Sequence, residues 1–268
     1  MKGSSLLETD QLLAVAFIAL IAAASVYFKL LKTSGAFAAF VTGLLVWIGF
    51  GINGLLLMGI FFLTSSLLSR YKRKKKEELG EIHEKGSARD WVQVAANGGT
   101  GAIAGLANFI EPNFIWLIMF AIALASANAD TWASELGVLS KKQPMSVKAF
   151  KRVPRGTSGA VSGFGTLASV AASLLIATSA YSLFEIEPAW VFGIFFGGMA
   201  GTALDTLMGA YFQAGFKCAE CGLHTEKTVH CAKITEKVSG YAVINNDAVN
   251  FLSCFTAAIL GMIVYMVL

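Results

Sequence analysis

Ala127-Asn128-Ala129-Asp130-Thr131-Trp132-Ala133-Ser134-Glu135-Leu136-Gly137 closes an apolar run that begins near residue 113 and reads as a membrane helix. Two carboxylates, an amide and two hydroxyls are costly to place at the end of such a segment. An acid near lipid faces a partner, a water-filled cavity or a cation, which makes it a functional-site candidate. The stretch leads through a basic loop to Arg155-Gly156-Thr157-Ser158-Gly159-Ala160-Val161-Ser162-Gly163.

Working outward, 56% of the 268 residues are hydrophobic and 14% charged, and the mean hydropathy is +0.65. Soluble domains average about 45–50% apolar and about 25% charged, so this chain needs lipid around it. Spans are expected near 12–31, 35–50, 53–69, 91–110, 113–136, 157–183, 190–212 and 245–267. A helix crosses the hydrocarbon with about 20 apolar residues; the second and fourth spans are the shortest or most polar. The first run is too long for an h-region and follows Glu8 and Asp10, so it reads as an uncleaved helix. The expected fold is all-α, a single polytopic bundle of about eight spans over residues 1–268. Its 27 glycines suit close helix approach.

Lysines and arginines sort to one side. Lys29 and Lys32 follow the first span; Arg70, Lys72, Arg73, Lys74, Lys75 and Lys76 follow the third. Lys141, Lys142, Lys148, Lys151, Arg152 and Arg155 follow the fifth, and Lys217, Lys227, Lys233 and Lys237 the seventh. The loops near Asn53, Glu111 and Glu185 are almost free of basic residues. By the positive-inside rule the basic loops, near 70–90, 137–156 and 213–244, are cytoplasmic and both termini are outside. The run at 70–76 reads as a headgroup-facing topology anchor, and 72–86 as an exposed helix or loop. Basic residues confined to short loops exclude nucleic-acid binding. Nothing in the spacing points to an oligomeric state.

With that topology the polar residues converge at the cytoplasmic face. Gln93 and Asn97 enter the fourth span, Asn128, Asp130 and Glu135 leave the fifth, and Thr157, Ser158 and Ser162 open the sixth. Asp205 lies in the inner half of the seventh, and Asn245, Asn246, Asp247 and Asn250 open the eighth. Asp130-Thr131 recurs as Asp205-Thr206, and Thr33-Ser34-Gly35-Ala36 as Thr157-Ser158-Gly159-Ala160. Inverted repeats are common in membrane folds, although matches this short also arise by chance.

This set suits metal-assisted phosphoryl transfer. Asp130, Glu135, Asp205 and Asp247 offer the hard oxygens that Mg²⁺ prefers beside phosphate. Phosphoryl transfer needs positioning and charge neutralisation above all. Arg155 supplies a cation, and Gly156 to Gly159 a flexible turn at an expected helix N-terminus, where free N–H groups attract anions. Taken singly, each piece has a plainer reading. The acids can be structurally paired, and Gly156-Thr157-Ser158-Gly159 or Asn245-Asn246-Asp247 can be helix caps. The turn is not a Walker A loop.

Cys218-Ala219-Glu220-Cys221-Gly222, followed by His224, His230 and Cys231, resembles a zinc knuckle. Cys218, Cys221, His230 and Cys231 can complete a tetrahedral set, though adjacent second ligands depart from the usual spacing. Structural zinc and reduced thiols are both open here; a lasting disulfide does not suit a cytoplasmic loop. Cys254 reads as helix packing.

Asn97-Gly98-Gly99, Ala129 to Gly137, Arg155 to Gly159, Gly163 to Ser169, Asp205-Thr206-Leu207-Met208-Gly209-Ala210, Cys218 and Cys221, Thr225-Glu226-Lys227 with His230, and Asn245 to Asn250 carry a family resemblance. Together they resemble the transmembrane-protein-19-like family, which includes the plant phytyl-phosphate kinase of tocopherol synthesis. The resemblance implies a membrane-bound kinase that converts an isoprenyl monophosphate to the diphosphate, with a nucleoside triphosphate donor, CTP by analogy with polyprenol kinases. On that footing Asp130 and Asp205 would hold Mg²⁺, with Glu135 or Asp247 completing the shell. Arg155 would stabilise the transferring phosphoryl. Asn97, Asn128, Glu135, Gly156, Thr157, Ser158, Gly159, Asn246 and Asp247 would line the substrate and nucleotide site. The rival class is a transporter or lipid translocator whose acids couple ions; acids at one face rather than mid-bilayer count against it. A CDP-alcohol phosphotransferase is a poor fit because its spaced Asp signature is absent.

Overall fold

The computed structural model describes the backbone of residues 2–72 and 88–267, with side chains in those ranges from residue 11 onward. Most of the basic run at 70–76 and the expected exposed segment 72–86 lie outside the described residues. The helices are α1 (Lys2–Tyr27), α2 (Thr33–Arg70), α3 (Trp91–Ile110), α4 (Phe114–Gly137), α5 (Gly163–Phe184), α6 (Pro188–Tyr211) and α7 (Asn246–Val267). Among the described residues, α2, α4, α5, α6 and α7 are the five long and apolar enough to cross a membrane. The apolar part of α1, Gln11–Tyr27, is shorter, and α3 is diluted by Gln93, Asn97, Asn108 and glycines.

α2 holds both expected spans, 35–50 and 53–69, and folds back on itself between them. Gly51 adopts φ 61°, ψ −152°, a region essentially closed to residues with a Cβ. A Cβ on Gly54 would lie 2.9 Å from Val46 Cγ1, whereas residues eight apart on a straight helix are separated by about 12 Å. The first arm runs beside α3, with Thr42 against Gly98 and Asn108 Nδ2 donating to Gly49 O at 2.7 Å. The second arm runs beside α4, with Thr64 and Ser65 at Asn128 and Ser69 at Glu135. Arg70 donates to Phe28 O, returning the end of α2 to the face where it began.

α4 is the axis of the bundle. Ile118 to Ala129 are buried without interruption, packed by α2, α3, α5, α6 and α7. A helix apolar all round is read as buried on all sides, and Asn113 caps it by accepting from Ile115 N at 3.0 Å. α3 starts with a capping box between Asp90 and Gln93.

Two connections correct the all-α expectation. β1 (Met145–Ser146) pairs with β2 (Ala160–Val161) across the loop before α5. Between α6 and α7, β3 (Gly215–Lys217) lies between β4 (His224–Thr225) and β7 (Glu236–Ser239), and β5 (Val229–His230) pairs with β6 (Lys233–Ile234). These stretches are too short and polar for helices, and strand pairing satisfies their backbone groups. α5 also starts later than expected, at Gly163 rather than near 157. Gly156 and Gly159 are left-handed (φ 83° and 69°), so the turn cannot be helical, and Ser162 caps the helix by accepting from Gly165 N at 3.1 Å.

Candidate functional site

The site is set by a ladder between α4 and α6. Ile122, Ser126 and Asp130 recur every four residues on α4; Gly197, Gly201 and Asp205 do so on α6. Residues four apart share a helix face, so contact at the lower rungs fixes the upper one. A Cβ on Gly197 would lie 2.9 Å from Ile122, and Ser126 fills the place of a side chain on Gly201. The helices therefore approach as closely as small residues permit. At the next turn the carboxyl groups of Asp130 and Asp205 come within hydrogen-bonding reach of each other.

α7 closes the third side. Ser253 Oγ donates to Asp205 Oδ2 at 3.1 Å. With its amide nitrogen turned toward α6, Asn250 donates to the same oxygen at 3.0 Å and to Asn246 O at 3.2 Å. Asn245 caps α7 through Ala248 N at 3.0 Å. Asp247 is buried in the first turn of α7, where a helix N-terminus favours negative charge, and Asn246 is exposed beside it.

The loop before α5 reaches the same place. Gly159 packs on Ala210, and Gly209, one turn beyond Asp205, faces Ser158 and Gly159. Ser158 Oγ donates to Glu226 Oε1 at 2.6 Å, and Gln213 Nε2 donates to the same oxygen at 2.8 Å. Glu226 is close enough to Asp205 for their charges to interact. Arg155 anchors to Lys141 O at 3.1 Å through one nitrogen, while its buried Nε has no partner among the described residues; Trp132 Nε1 is a second buried donor without one among them. Thr157 is turned into its own loop, donating to Pro154 O through Oγ1 at 2.8 Å and through its backbone N–H at 3.4 Å.

Three sequence-selected residues have other partners. Asn128 is buried, accepts from Thr64 and Ser65 (3.2 Å each) and donates to Ala172 O at 3.0 Å, so its amide ties α2, α4 and α5 together. Asn97 donates to Gln93 O at 3.0 Å within α3. Glu135 accepts from Ser69 at 2.5 Å and faces the Arg89 guanidinium; burial lowers the Arg89 pKa and Glu135 opposes that shift. The acidic pair is joined by no third carboxylate into a compact ligand group among the described residues.

Glu226, Gln213, Ser253 and Arg89 were not expected in the site. Glu226 sat in a quoted motif, Thr225-Glu226-Lys227, but no spacing rule returns it to α6. Arg89 reaches Glu135 because its backbone pairs with residues 30–32, Arg89 N donating to Leu30 O and Lys32 N to Arg89 O.

The cysteine segment gathers all four expected ligands. One ligand atom from each of Cys218, Cys221, His230 and Cys231 lies within 4.8 Å of the others. Hydrogen bonds, that from the Cys221 backbone foremost, lower the Cys218 thiol from 9.0 to about 6. Burial first, then the Cys221 and Cys218 sulfurs, push the Cys231 thiol up to about 11.

A lipid-suited helical bundle with an acidic pair at the mouth of its central helix defines an integral membrane protein with a polar site at one face. The family model described as integral membrane protein DUF92 matches residues 16–258, and the chain belongs to that family, as the resemblance to transmembrane-protein-19-like proteins implied. Protein PGR of Arabidopsis thaliana is 30% identical over 92% of this chain and 93% of its own length. The uncharacterized membrane protein MJ0933 of Methanocaldococcus jannaschii is 30% identical over 88% of this chain and 87% of its own. Protein VTE6, chloroplastic, of Arabidopsis thaliana is 28% identical over 70% of this chain and 58% of its own. No solved structure matches the chain with significance.

Proposed function

We propose that the protein is a prenyl-phosphate kinase that transfers a phosphoryl group from a nucleoside triphosphate, CTP favoured, to an isoprenyl monophosphate. The reading rests on one observation above the rest: Asp130 and Asp205 touch between α4 and α6, with Glu226 adding charge nearby. Like carboxylates in contact at a half-buried site need a shared proton or a cation. An all-oxygen donor pair beside the loop that carries Ser158 and Gly159 fits Mg²⁺. Mg²⁺ held there would neutralise donor phosphate charge; Asp130 and Asp205 would hold it.

Arg155 has a buried Nε without a partner among the described residues, an arrangement that costs about 1–3 kcal/mol until an acceptor arrives. A phosphate oxygen is such an acceptor. Gly156 and Gly159, both left-handed, follow Arg155 in the same loop, and the prenyl tail would lie in the leaflet with its phosphate at this face. A phosphate monoester is already nucleophilic, so no strong general base is needed.

In this reading α1, the two arms of α2, and α3 to α7 make eight crossings. Each α2 arm, about 27 Å long at 1.5 Å per residue, suits a bilayer core of about 30 Å. Face assignment follows the positive-inside rule, by which the basic loops favour the cytoplasmic side for the acidic pair.

The test is phosphoryl transfer by purified protein with Mg²⁺, offering phytyl and geranylgeranyl monophosphates with CTP, ATP, GTP and UTP in turn. Diphosphate formed by the wild type and lost in Asp130→Ala supports the reading and ranks the donors. Full turnover in Asp130→Ala, or no product from folded protein with any donor, overturns it. In the second case flux of prenyl phosphate across liposomes tests the transport alternative.

A further inference from the structure

We propose that Cys218, Cys221, His230 and Cys231 bind one zinc ion, and that this ion fixes the segment carrying Glu226 against the acidic site. The second half rests on the kinase reading; the first does not.

The donor set is three sulfurs and one imidazole nitrogen, a combination that suits zinc. His230 Nδ1 lies 3.5 Å from Cys221 Sγ and 3.2 Å from Cys231 Sγ. Ligands at about 2.0–2.3 Å from a tetrahedral ion stand roughly 3.5–3.8 Å from one another, so the four atoms are already near an ion's coordination shell. All four cysteines of the chain are free thiols.

The backbone is shaped for the same purpose. Cys218 to Gly222 forms a knuckle in which Gly222, at φ 73°, donates to Cys218 O at 2.9 Å. The β5–β6 hairpin turns through Cys231 and Ala232, both left-handed at φ 50° and 57°. Two-residue hairpins of this kind favour Asn-Gly or Gly-Gly, and a residue with a side chain is strained there. The turn places Cys231 beside His230 at one centre, which explains how adjacent residues serve together.

Backbone pairing and an exposed Lys233–Glu220 ion pair hold this cap, but it buries little apolar surface. Ile234 is 83% exposed and Val229 55%, and all of β7 faces outward. Small units without a sufficient core rely on disulfides or a metal, and no disulfide is present. The ligands bracket Glu226: Cys218 and Cys221 precede it, His230 and Cys231 follow. Between them Lys227 N donates to Thr225 Oγ1 at 3.2 Å and Thr235 Oγ1 to Lys227 O at 2.7 Å. Glu226 is thus a positioning residue, holding Ser158 and Gln213 beside Asp205.

The full-length protein, purified in detergent without added metal, is assayed by mass spectrometry of its metals. One zinc per chain is expected. Cobalt exchange should give tetrahedral d–d bands with sulfur-to-cobalt charge transfer. Cys221→Ala and Cys231→Ala should lose the ion, while Cys254→Ala, in α7, should keep it. Folded wild type that neither carries zinc nor takes up cobalt overturns the site.

Hydrogen exchange on the zinc-stripped protein should rise across 215–239 and leave α4 and α6 unchanged; unchanged exchange across 215–239 overturns the bracing role. Glu226→Gln should retain zinc and fold, and lower phosphoryl transfer by ~10-fold, as supporting residues around sites commonly do. Full transfer by Glu226→Gln would remove its role while the zinc result stood, and wild type inactive yet zinc-loaded would fault the kinase reading alone.

Discussion

The seam between α4 and α6 and the cysteine cap between α6 and α7 meet at Glu226, yet they are built by opposite means. The seam sits inside the bundle, where α4 is buried along Ile118 to Ala129 and a repeat of four residues sets side chains face to face. The cap lies outside it, made of strands of two to four residues with little apolar burial. Dense packing makes the seam intolerant of added volume. The cap tolerates surface change and, with the proposed zinc, would depend on four ligands.

Three substitutions would sharpen or break that contrast, beginning with the largest effect. Gly201→Val places a branched side chain where Ser126 already sits, so α4 and α6 must part. Overpacking of this kind costs about 1–3 kcal/mol, and activity should fall below detection together with a lowered melting temperature. An active, wild-type-stable Gly201→Val would show that the seam is loose. Asn128→Ala leaves Thr64, Ser65 and Ala172 O without their shared partner, so thermal denaturation in detergent should register a loss of about 1–3 kcal/mol. Ser162→Ala removes one helix cap, worth about 1 kcal/mol. Its small shift in melting temperature should come with little change in phosphoryl transfer, because Ser162 supports α5 rather than the acids.

Legibility in the sequence follows the same division. Apolar runs and basic loops locate the helices, and the break between residues 50 and 53 falls where Gly51 reverses α2. Helical periodicity makes Asp130 and Asp205 candidates, since an acid in such a run is expensive wherever it points. Their direct contact is carried by Gly197 and Gly201, a signal readable only once α4 and α6 are known to be neighbours. Asn128 looked equally suited to a ligand, but its amide is engaged by α2 and α5, and nothing local distinguishes the two fates. The ligand spacing marks the cap, whereas the return of Glu226 to Ser158 and Gln213 depends on the path of a short-stranded loop. Periodicity is silent there.

The most direct measurement of the acidic pair is a titration of the purified protein with Mn²⁺, a paramagnetic stand-in for Mg²⁺, followed by electron paramagnetic resonance. One Mn²⁺ site per chain, displaced by Mg²⁺, tightened by CTP and lost in Asp130→Asn and Asp205→Asn while zinc content stays unchanged, is the predicted result. Equal Mn²⁺ binding in wild type and both variants would contradict the claim that Asp130 and Asp205 hold the cation.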